Sequence, residues 1–445
     1  MLHLGLGAFH RTHQAVYLQD LIDSGDASWH LASGNLRVEQ PDMARVLRAQ
    51  GGRYIVETVR PDGQREHRRI DAIRECIPFE TGLPQLVRLA ADADTRIISF
   101  TVTEAGYELD GPRAAAGQGH TLFEALQILL RERQRSGAGA ITLLSCDNLR
   151  HNGDRTRAGL LQWLERSGDL ALHHWVQQHT TCPNAMVDRI TPRSPAELAL
   201  RVATATGEAD AAPVLAEHFI QWVIEDNFCH GRPAWERVGV QMVAAVPPYE
   251  EAKIRLLNAT HSCIAWAGAL AGHAFIHESA RDARIRGFAH DYITHDAIPC
   301  LLPSPIDLPA YRDTVLDRFC NAALQDTTQR VAMDGSVKLS GFIAPTVRDR
   351  LSQGAPIDSV AMLPALLLAF LQRWQAGALN FAHHDSGMTV QQARAICAAP
   401  DPTQAFCGDH ALWGSLAGNS TLAAAIRQAG QRVRDFEADI QRQAL

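Results

Sequence analysis

An amine, an amide and an imidazole stand close together in the run Lys253-Ile-Arg-Leu-Leu-Asn-Ala-Thr-His-Ser262. Read as an α-helix at roughly 100° per residue, Lys253, Asn258 and His261 fall within an arc of about 140°. Ile254, Leu256 and Leu257 lie beside them, so the three polar groups could share a partly dry cleft. Desolvation disfavours the charged form of a lysine, so an amine held there could be neutral near physiological pH and act as a base. The plainer alternative is a solvated helix face that happens to carry a histidine.

Three further polar groups could serve the same chemistry. Ser145-Cys-Asp-Asn-Leu-Arg-His-Asn-Gly153 follows an apolar run at 140–144. This puts Asn148 at the carboxyl end of a strand, where open parallel sheets carry ligands. Its amide could donate to an alcohol or alkoxide oxygen; otherwise the segment is a polar turn with Asn152-Gly153 as punctuation. Pro183 and Pro192 bracket a semi-rigid loop in which Asp188 could orient a hydroxyl, or simply form a solvated pair with Arg189. Asp326-x-x-x-Arg330 and Lys338 could grip distal hydroxyls, with surface charge as the bland reading. The 20 histidines form no metal-ligand spacing, and His383-His384-Asp385 reads as a local polar turn, so no metal is expected.

A nucleotide signal stands at the start of the chain. Gly5-x-Gly7 follows a short apolar run and opens a helical pattern, an arrangement that lets backbone N–H groups approach a pyrophosphate. The third fingerprint glycine is missing, because His10 stands in its place. Phe9 joins Gly5 and Gly7 as a cofactor-side candidate. Past the second strand, Asn35 or Glu39 could hold a ribose hydroxyl, whereas Arg37 could meet a 2′-phosphate. NAD is expected, with NADP not excluded.

These groups need a scaffold. Apolar runs at 2–6, 29–33, 96–102 and 140–144 read as strands, with a helix over 8–22. Near-continuous β-branched runs suit a parallel sheet buried on both faces. Segments 54–59 and 70–73 read as a hairpin or side excursion. Beyond Pro247-Pro248, a pair expected to end either element, segments 250–271, 311–323, 361–376, 390–398 and 420–444 read as helices and strand signals are scarce. The expected fold is α/β, with a Rossmann-type doubly wound N-terminal domain over 1–246. A mainly α-helical C-terminal domain follows over 247–445, with the active site in the cleft between them.

Composition narrows the function classes. A 46% hydrophobic and 20% charged chain with net charge −7 is globular, and without a basic stripe nucleic acid is not its main partner. Its nine cysteines are an odd number without a C-x-x-C pair, which reads as reduced-thiol, cytoplasmic usage. The opening Met-Leu-His-Leu-Gly leaves no room for a signal peptide before the first strand. The most apolar window, 361–371, contains Pro364 and is too short to span a bilayer, so no membrane partner is expected.

Taken together, Gly5-Leu-Gly-Ala-Phe-His-Arg-Thr-His13, Thr101-Val-Thr-Glu-Ala-Gly-Tyr107, 145–153, 183–192, 253–262 and 326–338 resemble the mannitol dehydrogenase family of polyol-specific long-chain dehydrogenases. The matches keep family order over most of the chain. The resemblance implies an NAD-dependent secondary-alcohol dehydrogenase that converts D-arabinitol to D-xylulose without a metal. It implies Lys253 as general base, Asn148 and Asn258 as the amides holding the reacting oxygen, and His261 as a substrate-orienting imidazole. It implies Asp188, Arg330 and Lys338 as substrate contacts, Glu250 as a proton relay, and Gly5 and Gly7 as the cofactor loop. Mannitol or fructuronate as substrate is the nearest alternative, and a redox sensor without turnover the remote one. The implied partner is a small polyol or ketose, bound by a monomer or homodimer.

Overall fold

The computed structural model describes residues 1–102, 104–109, 118–379 and 384–443. The chain divides into two compact units, one comprising Met1–Arg60 with Gln64–Pro247, the other Pro61–Gly63 with Pro248–Leu445.

Among the described residues the first unit has strands β1 (Leu2–Leu4), β2 (Leu31–Gly34), β3 (Tyr54–Val59), β4 (Arg65–Ile70), β5 (Ile73–Ile77), β6 (Ile97–Phe100), β7 (Ile141–Ser145), β8 (Thr180–Thr181), β9 (Ala185–Asp188), β10 (Val214–Glu217), β11 (Gln221–Glu225) and β12 (Gln241–Val243). Six of them form one sheet in the order β5-β2-β1-β6-β7-β8. Every pairing in that sheet is parallel. This is the doubly wound Rossmann order, in which the chain reverses its winding between β1 and β6. Successive side chains alternate between two cores: Ile97 and Leu144 go to one, Ile98, Phe100 and Leu143 to the other. Strands buried on both faces are why these runs look continuously apolar in sequence. The long helix Leu122–Ser136 starts where Thr121 and Glu124 cap each other reciprocally and stops at the left-handed Gly137.

Three local expectations change. The helix expected over 8–22 is two helices, Ala8–Thr12 and Gln14–Asp23, broken at His13 with φ −120° and ψ −85°. At the break the His13 ring packs among Phe9, Tyr17 and Trp222, and its Nε2 meets Gln221 O at 2.9 Å. The 70–73 segment is a junction, not a strand piece: β4 ends at Ile70 in a hairpin with β3, and β5 starts at Ile73 in the main sheet. Two small sheets, β10-β3-β4 and β12-β11-β9, add strands after residue 180 that the sequence pattern did not announce.

The second unit is helical. Its described residues hold no strand, only an isolated bridge between Phe275 and Thr327. Pro247 and Pro248 open the helix Pro247–Ala252 instead of interrupting the chain. The first helical positions lack an intrahelical N–H partner, so proline fits there. The chain continues through a π-helical turn, Lys253–Asn258, into the helix Ala259–Ala271, nearly all of whose residues are buried. A helix apolar on every side belongs at the centre of its unit, and Met362–Gln375 and Thr328–Ala332 pack against it. The helix expected at 311–323 is Leu308–Arg318, starting at the Asp307 cap.

Candidate active site

The lysine-bearing run is not a regular α-helix. Ala259 N–H bonds to Ile254 O, five residues back, the signature of a π turn. Residues five apart then stack one turn above another, so Lys253 and Asn258 sit closer in angle than α-helical geometry gives. Lys253 is buried, at 5% exposure, while Asn258 and His261 are half-buried. Glu250, one turn earlier, is also buried. Such turns leave backbone carbonyls short of partners, and here Tyr292 donates its hydroxyl to Arg255 O at 3.0 Å. The Arg255 guanidinium spans Glu251 (3.0 Å) and Asp349 (2.6 Å), bracing the turn from the outside. Two more π turns, Ile293–Ala297 and Leu339–Ile343, pack against it.

His261 stacks on Phe319 with ring centroids 4.7 Å apart. Its Nε2 faces Asp326 Oδ2 at 3.4 Å, within ion-pair reach but too long for a good hydrogen bond. Burial lowers the His261 pKa, and Asp326 opposes that shift. Asp326 Oδ1 takes both Nε (2.8 Å) and Nη2 (2.6 Å) of Arg330. Lys338 donates Nζ to Val331 O at 2.6 Å. Burial brings its pKa down to about 8, against the pull of Asp334. Ser336, two residues before it, is gripped by Asp385 through its backbone N–H and its hydroxyl. His383 and Thr103, both in expected motifs, lie outside the described residues.

In the first unit, the loops after β1, β2, β6 and β7 share the carboxyl edge of the sheet. Gly5 has φ +117°, a conformation other residues rarely adopt, and its N–H bonds to Gly34 O at 2.7 Å. Gly7 caps the helix Ala8–Thr12 with ordinary φ −63°, and a Cβ there would meet nothing within 4 Å. Phe9 is partly buried against His13. His10, at the third fingerprint position, lies flat on His3 with centroids 3.5 Å apart. Close helix–strand packing, which a glycine normally allows there, is achieved by this stack. Ser99 and Ser33 hold the two rings by hydrogen bonds.

Asn35 follows β2 directly, and half-buried Glu39 lies against it. Burial raises the Glu39 pKa, while Arg37 and the Asn35 amide oppose. Exposed Asn148 follows Asp147, which accepts from Val102 N–H and the Tyr107 hydroxyl, both at 2.8 Å. Asn152-Gly153 is not punctuation. Asn152 is buried at a helix start and bonds to Asp147 O and Ala185 O. Asp188 and Arg189 are both buried, so the solvated pair does not exist; Arg189 bonds instead to Glu217 O and Thr12 O.

This edge fits a nicotinamide dinucleotide. Asn35 Oδ1 and Thr101 Oγ1, each just past the end of a strand flanking β1, are buried without a hydrogen-bond partner, and buried polar atoms are normally satisfied. Open space at Gly7 leaves the turn approachable. Among the described residues, no group of three or more His, Cys, Asp or Glu could hold a metal ion. No helix there is long and apolar enough to cross a membrane. Sequence reasoning gave no role of their own to Asp326 and Tyr292; only the i, i+4 spacing of Asp326 and Arg330 could have flagged the former.

A doubly wound dinucleotide fold joined to a helical unit is the architecture of a class of dehydrogenases. The mannitol dehydrogenase Rossmann domain pattern matches residues 1–237 and the mannitol dehydrogenase C-terminal domain pattern residues 245–434. The chain is an oxidoreductase belonging to the mannitol dehydrogenase family. It is 51% identical to the D-arabinitol 4-dehydrogenase of Ralstonia nicotianae, covering 98% of this chain and 97% of that one. It is 47% identical to the D-arabinitol 4-dehydrogenase of Klebsiella pneumoniae, with 96% of each covered. Among solved structures, the Pseudomonas fluorescens mannitol 2-dehydrogenase complex with NAD and D-mannitol aligns at TM-score 0.82. That alignment has 32% identity and covers 100% of this chain and 93% of the other.

Proposed function

We propose that the protein oxidises D-arabinitol to D-xylulose with NAD, without a metal. The observation that carries this reading is the π turn that presents buried Lys253 with Asn258, next to an imidazole backed by a carboxylate. The high identity to two D-arabinitol 4-dehydrogenases supports the choice of substrate.

In this mechanism NAD supplies the hydride acceptor. Lys253, buried on the π turn, takes the proton of the reacting hydroxyl, and Glu250 passes it outward. Asn148 and Asn258 donate to the oxygen as negative charge develops; comparable donors contribute ~3 kcal/mol in the transition state. His261, Asp188, Arg330 and Lys338 orient the remaining hydroxyls. Gly5, Gly7 and Phe9 form the cofactor turn, and Asn35 with Glu39 takes the adenine ribose. A carboxylate there repels a 2′-phosphate, which favours NAD over NADP.

The test is NADH production from D-arabinitol, xylitol, D-sorbitol and D-mannitol, with NAD and NADP in parallel, together with fructuronate reduction by NADH. D-arabinitol with NAD should give the highest kcat/KM. A clear preference for D-mannitol or fructuronate would replace the substrate, and binding of NADH without turnover of any polyol would remove the enzymatic reading.

A further inference from the structure

We propose that Asp326 is a positioning residue of the polyol site, one carboxylate that sets both the tautomer of His261 and the direction of Arg330. The proposal rests on the functional reading above. Its geometry is a division of labour between two oxygens: Oδ1 receives the Arg330 guanidinium at 2.8 and 2.6 Å, and Oδ2 faces His261 Nε2 at 3.4 Å. The carboxylate is fixed from behind. Asp326 O accepts from Ile276 N–H, and Thr328 N–H donates to Ala274 O, both at 2.9 Å. These bonds lock the Asp326 backbone to the loop that ends the helix carrying His261.

The Asp326 side chain is only 8% exposed, whereas that of Arg330 is 67% exposed. A long exposed guanidinium left alone would sample many rotamers. Anchored through two N–H groups to a buried carboxylate, it keeps one direction. His261 has no such freedom, because its ring is stacked on Phe319, but its two nitrogens still have to be assigned. Nε2 is buried and has no closer hydrogen-bonding partner than Asp326. An ionised carboxylate only accepts, so it places the imidazole proton on Nε2 and leaves Nδ1 as the acceptor. Burial works against ionisation of Asp326, but His261 and Arg330 outweigh it and hold the carboxyl below its ordinary range. The consequence is an imidazole that receives a hydrogen bond from a polyol hydroxyl, beside a guanidinium that gives one.

Asp326→Asn tests this, because an amide turned to keep its oxygen on Arg330 presents NH₂ to His261 Nε2. The ring should then switch to the Nδ1–H tautomer, read from the 15N shifts of labelled histidine against a His261→Gln control. kcat/KM for D-arabinitol should fall on the order of a hundredfold, chiefly through KM. NADH affinity and Tm should stay near wild type. Asp326→Glu keeps the charge and should retain the Nε2–H tautomer and recover most of the KM. An unchanged tautomer with KM within about twofold of wild type would overturn the proposal. So would a fall in Tm and in kcat alone, the mark of a merely structural carboxylate. If the wild type oxidises no polyol while the tautomer still switches, the functional reading has failed and the Asp326–His261 coupling stands. If the wild type is active and the tautomer does not switch, the coupling has failed and the functional reading stands.

Discussion

The Tyr292 hydroxyl donates to the main-chain oxygen of Arg255 at 3.0 Å, in the middle of the π turn that carries Lys253. Tyr292 is fully buried. Tyr292→Phe removes the donor and leaves that carbonyl unsatisfied, a loss of about 1–3 kcal/mol. Denaturant unfolding should show it as a lower midpoint. Turnover should fall as well, because the turn sets the Lys253–Asn258 relationship. A variant as stable and active as wild type would show that the turn holds without its strut.

Lys253→Ala should reduce kcat by about 10²–10⁴-fold, the usual contribution of a positioned acid–base group. NADH affinity, measured by fluorescence titration, should barely change. Lys253→Arg should not rescue, since a guanidinium stays charged and cannot accept the proton. Near-normal turnover in either variant removes the lysine from the mechanism.

Gly5 and Gly7 should separate folding from cofactor binding. Gly5→Ala forces a side chain onto φ +117° and should lower both Tm and NADH affinity. Gly7→Ala meets no protein atom within 4 Å and keeps an allowed φ, so Tm should hold while NADH affinity falls. Equal NADH affinity in Gly7→Ala and wild type would place the pyrophosphate elsewhere.

The stacked pair His3–His10 predicts acid lability. Burial lowers the His3 pKa from its ordinary 6.5 to about 3. Between those values the unfolded chain binds a proton that the folded one does not. The contribution is intact above pH 6.5 and is lost as pH falls toward 3, at a slope approaching ~1.4 kcal/mol per pH unit. The difference in unfolding free energy between wild type and His3→Gln should therefore change with pH across that window and be flat above it.

The parallel core of the first unit was legible because β1, β2, β6 and β7 are short apolar runs separated by helical patterns. The later strands of the small sheets were not, because β9 to β12 are three to five residues long and include Glu217, Gln221, Glu225 and Gln241. Charged and amide groups at strand ends hide the alternation that announces a strand. The lysine run was legible as chemistry but not as geometry: steps of roughly 100° cannot register an inserted π turn, which answers to tertiary packing by Tyr292 and Arg255. Asp326 was legible only within the Asp326–Arg330 spacing, where a grip on distal hydroxyls and plain surface charge both stood open, because nothing in its neighbours along the chain reveals that its side chain is buried.

Strand β10 pairs with β3 across a long stretch of chain, Val214 beside Val56 and Glu217 beside Val59. Glu57, wholly buried on β3, relies for part of its neutralisation on Arg201, which approaches it at 2.7 Å. During synthesis, a nascent chain that has emerged only as far as the seventh strand therefore carries a carboxylate whose late partner does not yet exist. The dinucleotide unit must wait, incompletely sealed, until the ribosome has delivered that arginine and the strand after it.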